Sequence, residues 1–309
     1  GWIPESDVDV TDAPVAPPTQ KALFGYGYTG SHVSMTNLVN SSGVVATDVT
    51  GVGTARTALA AAGYGTDKAI FGYGYTGSVS SLSNLVNNSG VVATDTTGVG
   101  SARQYPAAAG YGSTGQAIFG YGQTGSGNVS LTNLVNNSGV VSADVTGVGT
   151  ARYGLAAAGY GTDKAIFGYG YVSDVVSMSN LVSNSGVVAA DVTGVGTARS
   201  TAGAAGYGGD KAIFGYGFTY PGSLVNHSIT NLVSNTGVVA ANVTGVGTAR
   251  HVIAAAGYGG DKAIFGYGET TTYVSMTNLV SNSGVVAADV TGVGTARSRL
   301  AAAGYSISA

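Results

Sequence analysis

The stretch YGLAAAGYGTDKAIFGYG, residues 153–170, decides how the chain is read, because most of its letters are Gly, Ala and Tyr. Such a composition suits either low-complexity filler or one unit of a structure that folds only when copied. The word FGYG at its end starts at Phe24, Phe71, Phe119, Phe167, Phe214 and Phe265, at spacings of 47, 48, 48, 47 and 51 residues. The word TGVGTAR, TGVGSAR in one copy, ends at Arg56, Arg103, Arg152, Arg199, Arg250 and Arg297. Six copies of both words across residues 21–309 mark a repeat architecture, in which each unit buries its apolar face against its neighbours.

Each unit reads as four short strands. LAAAGYG leads through a GTD or GGD turn into KAIFGYG, a loop of variable sequence follows, and VSMTNLV then turns at NSSG or SNSG into VVATDVTGVGTAR. Strand formers such as Val, Ile, Phe, Tyr and Thr alternate with Gly, Asn, Ser and Asp turns. LAAA has helical propensity, but four residues between glycines cannot sustain a helix. Six four-stranded units predict an all-β, six-bladed β-propeller of antiparallel blades. The ends predict its closure. The repeats open on a second strand, Lys21–Gly27, and stop after a first strand, Leu300–Tyr305, so the C-terminal strand is expected to complete the N-terminal blade. An unclosed ring would leave an edge strand free to aggregate.

The run of an Arg, two variable residues, a small apolar strand and then KAIFGYG resembles the kelch repeat, in which an Arg precedes the first strand and a glycine pair follows the second. The resemblance covers all six units and implies a propeller of kelch type. The glycine pair is split by Tyr here and the usual fourth-strand Trp is absent, so no kelch partner is carried over.

Differences among the six copies concentrate in two places. One is the loop after FGYG; the other is the pair after each Arg, namely TA, QY, YG, ST, HV and SR. Elsewhere the copies are nearly the same, apart from GSTGQ replacing GTDK in one turn near Ser113. Alternation of strand direction within a blade sends both segments to one face and the two constant turns to the other. Twelve of the 19 tyrosines lie in the repeat words, whereas Tyr28, Tyr75, Tyr105, Tyr153, Tyr171, Tyr220 and Tyr273 all fall in variable segments. His32, His227, His251, Asp174, Glu269 and Arg299 fall there too. Tyr, Ser, Gly and Asn on a rigid scaffold compose a recognition surface. Those seven tyrosines, the three histidines and Arg299 are therefore the expected ligand contacts, with a protein or a glycan as the partner of a monomeric propeller. Substitution at Tyr105, Tyr153 and His251 is expected to abolish binding and leave stability alone. The rival reading is a rigid spacer in a larger assembly, such as a virus particle or a surface appendage.

Other chemistries find little support. No nucleophile–base pair stands out, because most Ser, Asp and Lys positions recur in every repeat, and a non-catalytic protein without a cofactor is expected. The histidines lack ligand spacing, so no metal is expected. The 12 Lys and Arg are scattered rather than clustered, which argues against nucleic acid. The repeat arginines are expected to be structural, bonded to carbonyls or to a neighbouring blade. Asp48 precedes Arg56 by eight residues and would lie roughly 27 Å away along an extended strand. No apolar run is long enough to span a bilayer and no cysteine is present, so a soluble protein is expected, with an extracellular or virus-particle location open and the compartment unread. Residues 1–20, acidic and with four prolines, are expected to form a tail or linker, and DVDVTD within them lacks the Gly and Glu of a calcium loop.

Overall fold

The computed structural model describes residues 19–220 and 222–309. The acidic tail expected at 1–20 thus lies outside the described residues except for Thr19 and Gln20. Every regular element among the described residues is a β-strand, and no helix is long and apolar enough to cross a membrane.

The strands form six three-stranded antiparallel sheets and two small hairpins. Five sheets draw their three strands from one repeat, as in Ala60–Tyr64, Lys68–Gly72 and Ser83–Val86. In each of these the first strand pairs with the second in the same register, Ala60 facing Gly72 and Tyr64 facing Lys68 in the example. The remaining sheet joins the two ends of the chain. Ala301–Tyr305 pairs with Lys21–Tyr28, Lys21 facing Tyr305 and Gly25 facing Ala301, and Lys21–Tyr28 pairs in turn with His32–Val39. The first strands of the sheets neighbour one another in cyclic order, with Ala301–Tyr305 between Ala254–Tyr258 and Ala60–Tyr64. This all-β arrangement of repeated small sheets fits the β-propeller-like class.

The fourth segment of each repeat departs from the expected regular strand. It joins the third strand at two isolated bridges, Val39 to Val45 and Thr36 to Val49 in the first copy. Between those bridges three residues face two, so one is extra and the ladder bulges. The bulge turns the Asp48 carboxylate onto Asn37 Nδ2, at 2.9 Å.

The apolar core sits between sheets rather than within one. Phe71 packs on Gly25 of the preceding sheet, where a methyl group would lie 2.5 Å from the ring. The same Phe-on-Gly contact recurs at every seam, ending with Phe24 on Gly266. This accounts for the glycine of each FG pair: a side chain there would occupy the neighbouring ring's place. The tyrosine of each FGYG adopts a left-handed backbone, with φ of 63° at Tyr26, where the strand register shifts between Gly25 and Gly27. The bulge directs the fully buried Tyr26 ring edge-on to Phe71, 5.0 Å between centroids. Burial of side chains this size stabilises the fold by about 2 kcal/mol each.

Candidate functional site

The two variable segments of each repeat meet. The first residue after each Arg bridges the first residue after FGYG, giving Thr57 with Tyr75, Gln104 with Gln123, Tyr153 with Tyr171, Ser200 with Phe218, His251 with Glu269, and Ser298 with Tyr28. Twelve variable positions are thereby pinned in pairs by backbone geometry, whatever side chains they carry.

The second residue after each Arg forms the centre of this face. Ala58, Tyr105, Gly154, Thr201, Val252 and Arg299 all adopt left-handed backbones, with φ between 46° and 62°. Their amides link successive repeats. Tyr105 N–H donates to Ala58 O, Gly154 to Tyr105, Thr201 to Gly154, and Arg299 to Val252. Val252 N–H donates instead to the Thr201 hydroxyl, and Ala58 N–H returns to Arg299 O at 2.9 Å. Beneath this circlet lie Leu59, Pro106, Leu155, Ala202, Ile253 and Leu300, which close the axis with apolar side chains around a cavity of about 80 Å³.

The candidate contacts fall into separate groups. Tyr273, Tyr28, His32 and Tyr75 form a chain of rings with centroids 5.7 to 6.1 Å apart. Tyr105, Tyr153 and Tyr171 form a second chain, at 5.9 and 5.4 Å. Arg299 lies over the Tyr28 ring, 5.7 Å from its centroid, and lines the axial mouth together with Tyr105. Tyr220 stands apart and is the most exposed of the candidates, at 56%. His227 is half-buried, with Nε2 2.9 Å from the Thr219 hydroxyl.

His251 is a correction. Its place in a variable segment predicts that substitution leaves stability alone, but the side chain is buried against Phe218. Its Nδ1 lies 3.1 Å from Glu269 O, so Nδ1 carries the proton and donates. Burial holds its pKa below the ordinary imidazole value, against the opposing pull of Glu269. The ring supports the Glu269 loop, and its loss costs a buried hydrogen bond.

Burial also raises the Tyr105 hydroxyl pKa; Arg299 opposes that rise, while Tyr153 and Glu269 add to it. Glu269 was read only as a non-repeat charge, yet its Oε2 accepts from Ser298 Oγ at 3.3 Å, beside Arg299. Four repeats thus contribute to one asymmetric cluster that their spacing in the sequence does not reveal.

The larger cavity opens elsewhere. About 320 Å³ lies at the opposite end of the axis, lined by Gly63, Gly110, Gly159, Gly206, Gly257 and Gly304 together with turn residues. Its lysines Lys164, Lys211 and Lys262 each pair with the adjacent aspartate at 2.7 to 3.1 Å. Its walls come from the constant words, and Thr19 reaches into it. This is the open end of the axis rather than a built site.

The repeat arginines are fully buried at the seams. Arg56 Nε donates to Tyr73 O, Nη1 to Thr54 O and Nη2 to Asn84 Oδ1, with the guanidinium 4.4 Å above the Tyr26 ring. Asp95 of the following repeat accepts from Thr54 and Asn84 and lies 3.7 Å from Arg56. Asp48 is bound in the same way to Arg297, at 3.9 Å, rather than to the Arg56 of its own repeat. These donors are consumed by the scaffold, and burial of the neighbouring Tyr26 pushes its hydroxyl pKa up to about 12. Among the described residues no three His, Asp or Glu side chains converge as metal ligands.

No protein-family model matches the chain, and no curated protein resembles it in sequence.

Proposed function

We propose that the six sheets are the blades of a closed, kelch-like β-propeller that acts as a non-catalytic binding module, recognising a protein or a glycan through its variable face. One observation carries the reading: sequence variation among the repeats is concentrated in segments that the bridges bring together, while the opposite turns stay nearly uniform. Fixed backbone pairs bearing Tyr, His, Gln, Phe or Ser at each position present different side chains without disturbing the fold. The aromatic chains supply flat, amphipathic surface at low entropic cost. The test is binding of the intact protein to a glycan array and capture of protein partners, repeated with Tyr75→Ala and Tyr153→Ala. Loss of binding with an unchanged melting temperature supports the reading, and unaltered binding by both variants contradicts it.

A second reading, a structural spacer, draws on the turns that lead into the fourth segments. Val44, Val91, Val140, Val187, Val238 and Val285 are each more than 60% exposed and invariant among the copies, a pattern suited to lateral packing in an assembly. Sedimentation separates the two: a spacer self-associates through these valines, whereas the binding module stays monomeric.

A further inference from the structure

The protein carries 12 Lys and Arg, and the fold consumes nearly all of them. Six arginines are sealed into the seams, each with hydrogen bonds to its surroundings. Lys68, Lys164, Lys211 and Lys262 pair with aspartates on the constant turns. Arg299 differs from all of these. It is the only cation in the variable segments, and it stands where the other copies place Ala58, Tyr105, Gly154, Thr201 and Val252.

Its backbone is held in the axial circlet, but its side chain has no ion pair or hydrogen bond among the described residues, and Nε is buried without a partner. The rest of the half-buried guanidinium remains open to a ligand, and a planar oxyanion can take Nε and one Nη through two parallel N–H bonds. The surroundings narrow the class of ligand. The Tyr28 ring lies beneath the guanidinium, and Tyr273, His32 and Tyr75 extend from it as an aromatic wall. The Tyr105 hydroxyl, in the same axial lining, and the Glu269 carboxylate, bonded to Ser298, offer partners for hydroxyl groups.

Building on the binding function proposed above, we propose that this centre is a subsite for a single carboxylate-bearing sugar within an otherwise neutral glycan. The carboxylate pairs with Arg299, the C–H face of the ring packs on the Tyr28 wall, and ring hydroxyls donate to Glu269. A polyacidic peptide is disfavoured, because one cation would face several carboxylates beside Glu269. The glutamate also discriminates against ligands that bring a carboxylate but no hydroxyl donors.

Isothermal titration of the full chain with a glucuronate-terminated trisaccharide, its glucose-terminated counterpart and a singly charged glutamate peptide tests this. The acidic sugar is expected to bind at least about tenfold more tightly than the neutral one. Arg299→Gln removes that advantage and Arg299→Lys restores only part of it, because lysine lacks the planar fork. Both variants keep the wild-type melting curve, since the fold uses the Arg299 backbone rather than its guanidinium. Equal binding of the two sugars, or an Arg299→Gln variant that keeps the preference, overturns the subsite while leaving the variable-face function standing. Tighter binding of the peptide, or no binding of any probe, also overturns it. The variable-face function fails separately, if Tyr75→Ala and Tyr153→Ala leave every interaction intact.

Discussion

The Ala58 amide donates to the carbonyl of Arg299 at 2.9 Å, so the second repeat is tied to the last at the centre of the variable face. Together with pairing of Ala301–Tyr305 to Lys21–Gly25, this bond links the two ends of the chain at two levels. The centre of the face is therefore part of the scaffold, and its side chains stand on a platform held from beneath.

That platform requires left-handed backbones at six positions, only one of which is glycine. Ala58, at φ 53°, pays a steric cost that glycine avoids. Ala58→Gly is expected to raise stability by about 0.5–1 kcal/mol in urea unfolding. Gly154→Ala works in reverse, because the new methyl would come 2.5 Å from Ser200 Oγ as well as taking on the strained φ of 62°. A loss of about 1–2 kcal/mol is expected there. A destabilised Ala58→Gly variant, or a Gly154→Ala variant no less stable than the unaltered protein, would contradict the circlet.

One seam is chemically weaker than the rest. Five seams use an aspartate, whereas Asn242 occupies that position opposite Thr197. Arg199 Nη2 and Asn231 Oδ1 are both buried without partners there, although the equivalent atoms of Arg152 and Asn180 lie 2.7 Å apart. Asn242→Asp is expected to restore the network and add about 1 kcal/mol at neutral pH. Thermal melts of the variant decide it, and an unchanged or lower midpoint counts against the seam as described.

The seams also predict a response to acid. Burial pushes the carboxyls of Asp48, Asp95, Asp144, Asp191 and Asp289 up, but hydrogen bonds from Thr or Ser and from Asn, together with the nearby arginine, outweigh it and hold each below its ordinary value. A pKa lower in the folded than in the unfolded chain contributes stability that is fully present above the unfolded value, about pH 4. It is lost as pH falls through the lowered folded values. Melting temperature should drop below about pH 4, and Asp95→Asn should be less stable at neutral pH with a shallower acid dependence. Equal acid dependence of Asp95→Asn and the unaltered protein would remove the seam carboxylates from the account.

Much of this was legible in the sequence. The spacing of FGYG and TGVGTAR marks six units, and the mismatch between Lys21–Gly27 and Leu300–Tyr305 points to pairing of the ends. The partner of each arginine was not legible, because Asp95 belongs to the repeat after Arg56 and only the stacking of sheets brings them together. The bulge before Asp48 leaves no mark either, since one extra residue in VVATDVT does not disturb the strand-like composition. His251 misled for a related reason: variability signals a surface segment but not which side chain of a bridged pair turns inward under Phe218. The cavity at the constant end is lined by glycines together with tyrosines and lysines of the constant words, none of which varies in a way that would mark it.

Closure of the ring is the claim on which both the scaffold and the variable face depend, and removing Ser298–Ala309 tests it most directly. The truncated chain loses the strand paired with Lys21–Gly25 and the Arg299 carbonyl that receives Ala58 N–H, exposing an unpaired edge at the first sheet. Size-exclusion chromatography with thermal unfolding is expected to show aggregation, or a broad transition in place of a cooperative one. A soluble truncated monomer with an unchanged melting curve would contradict closure.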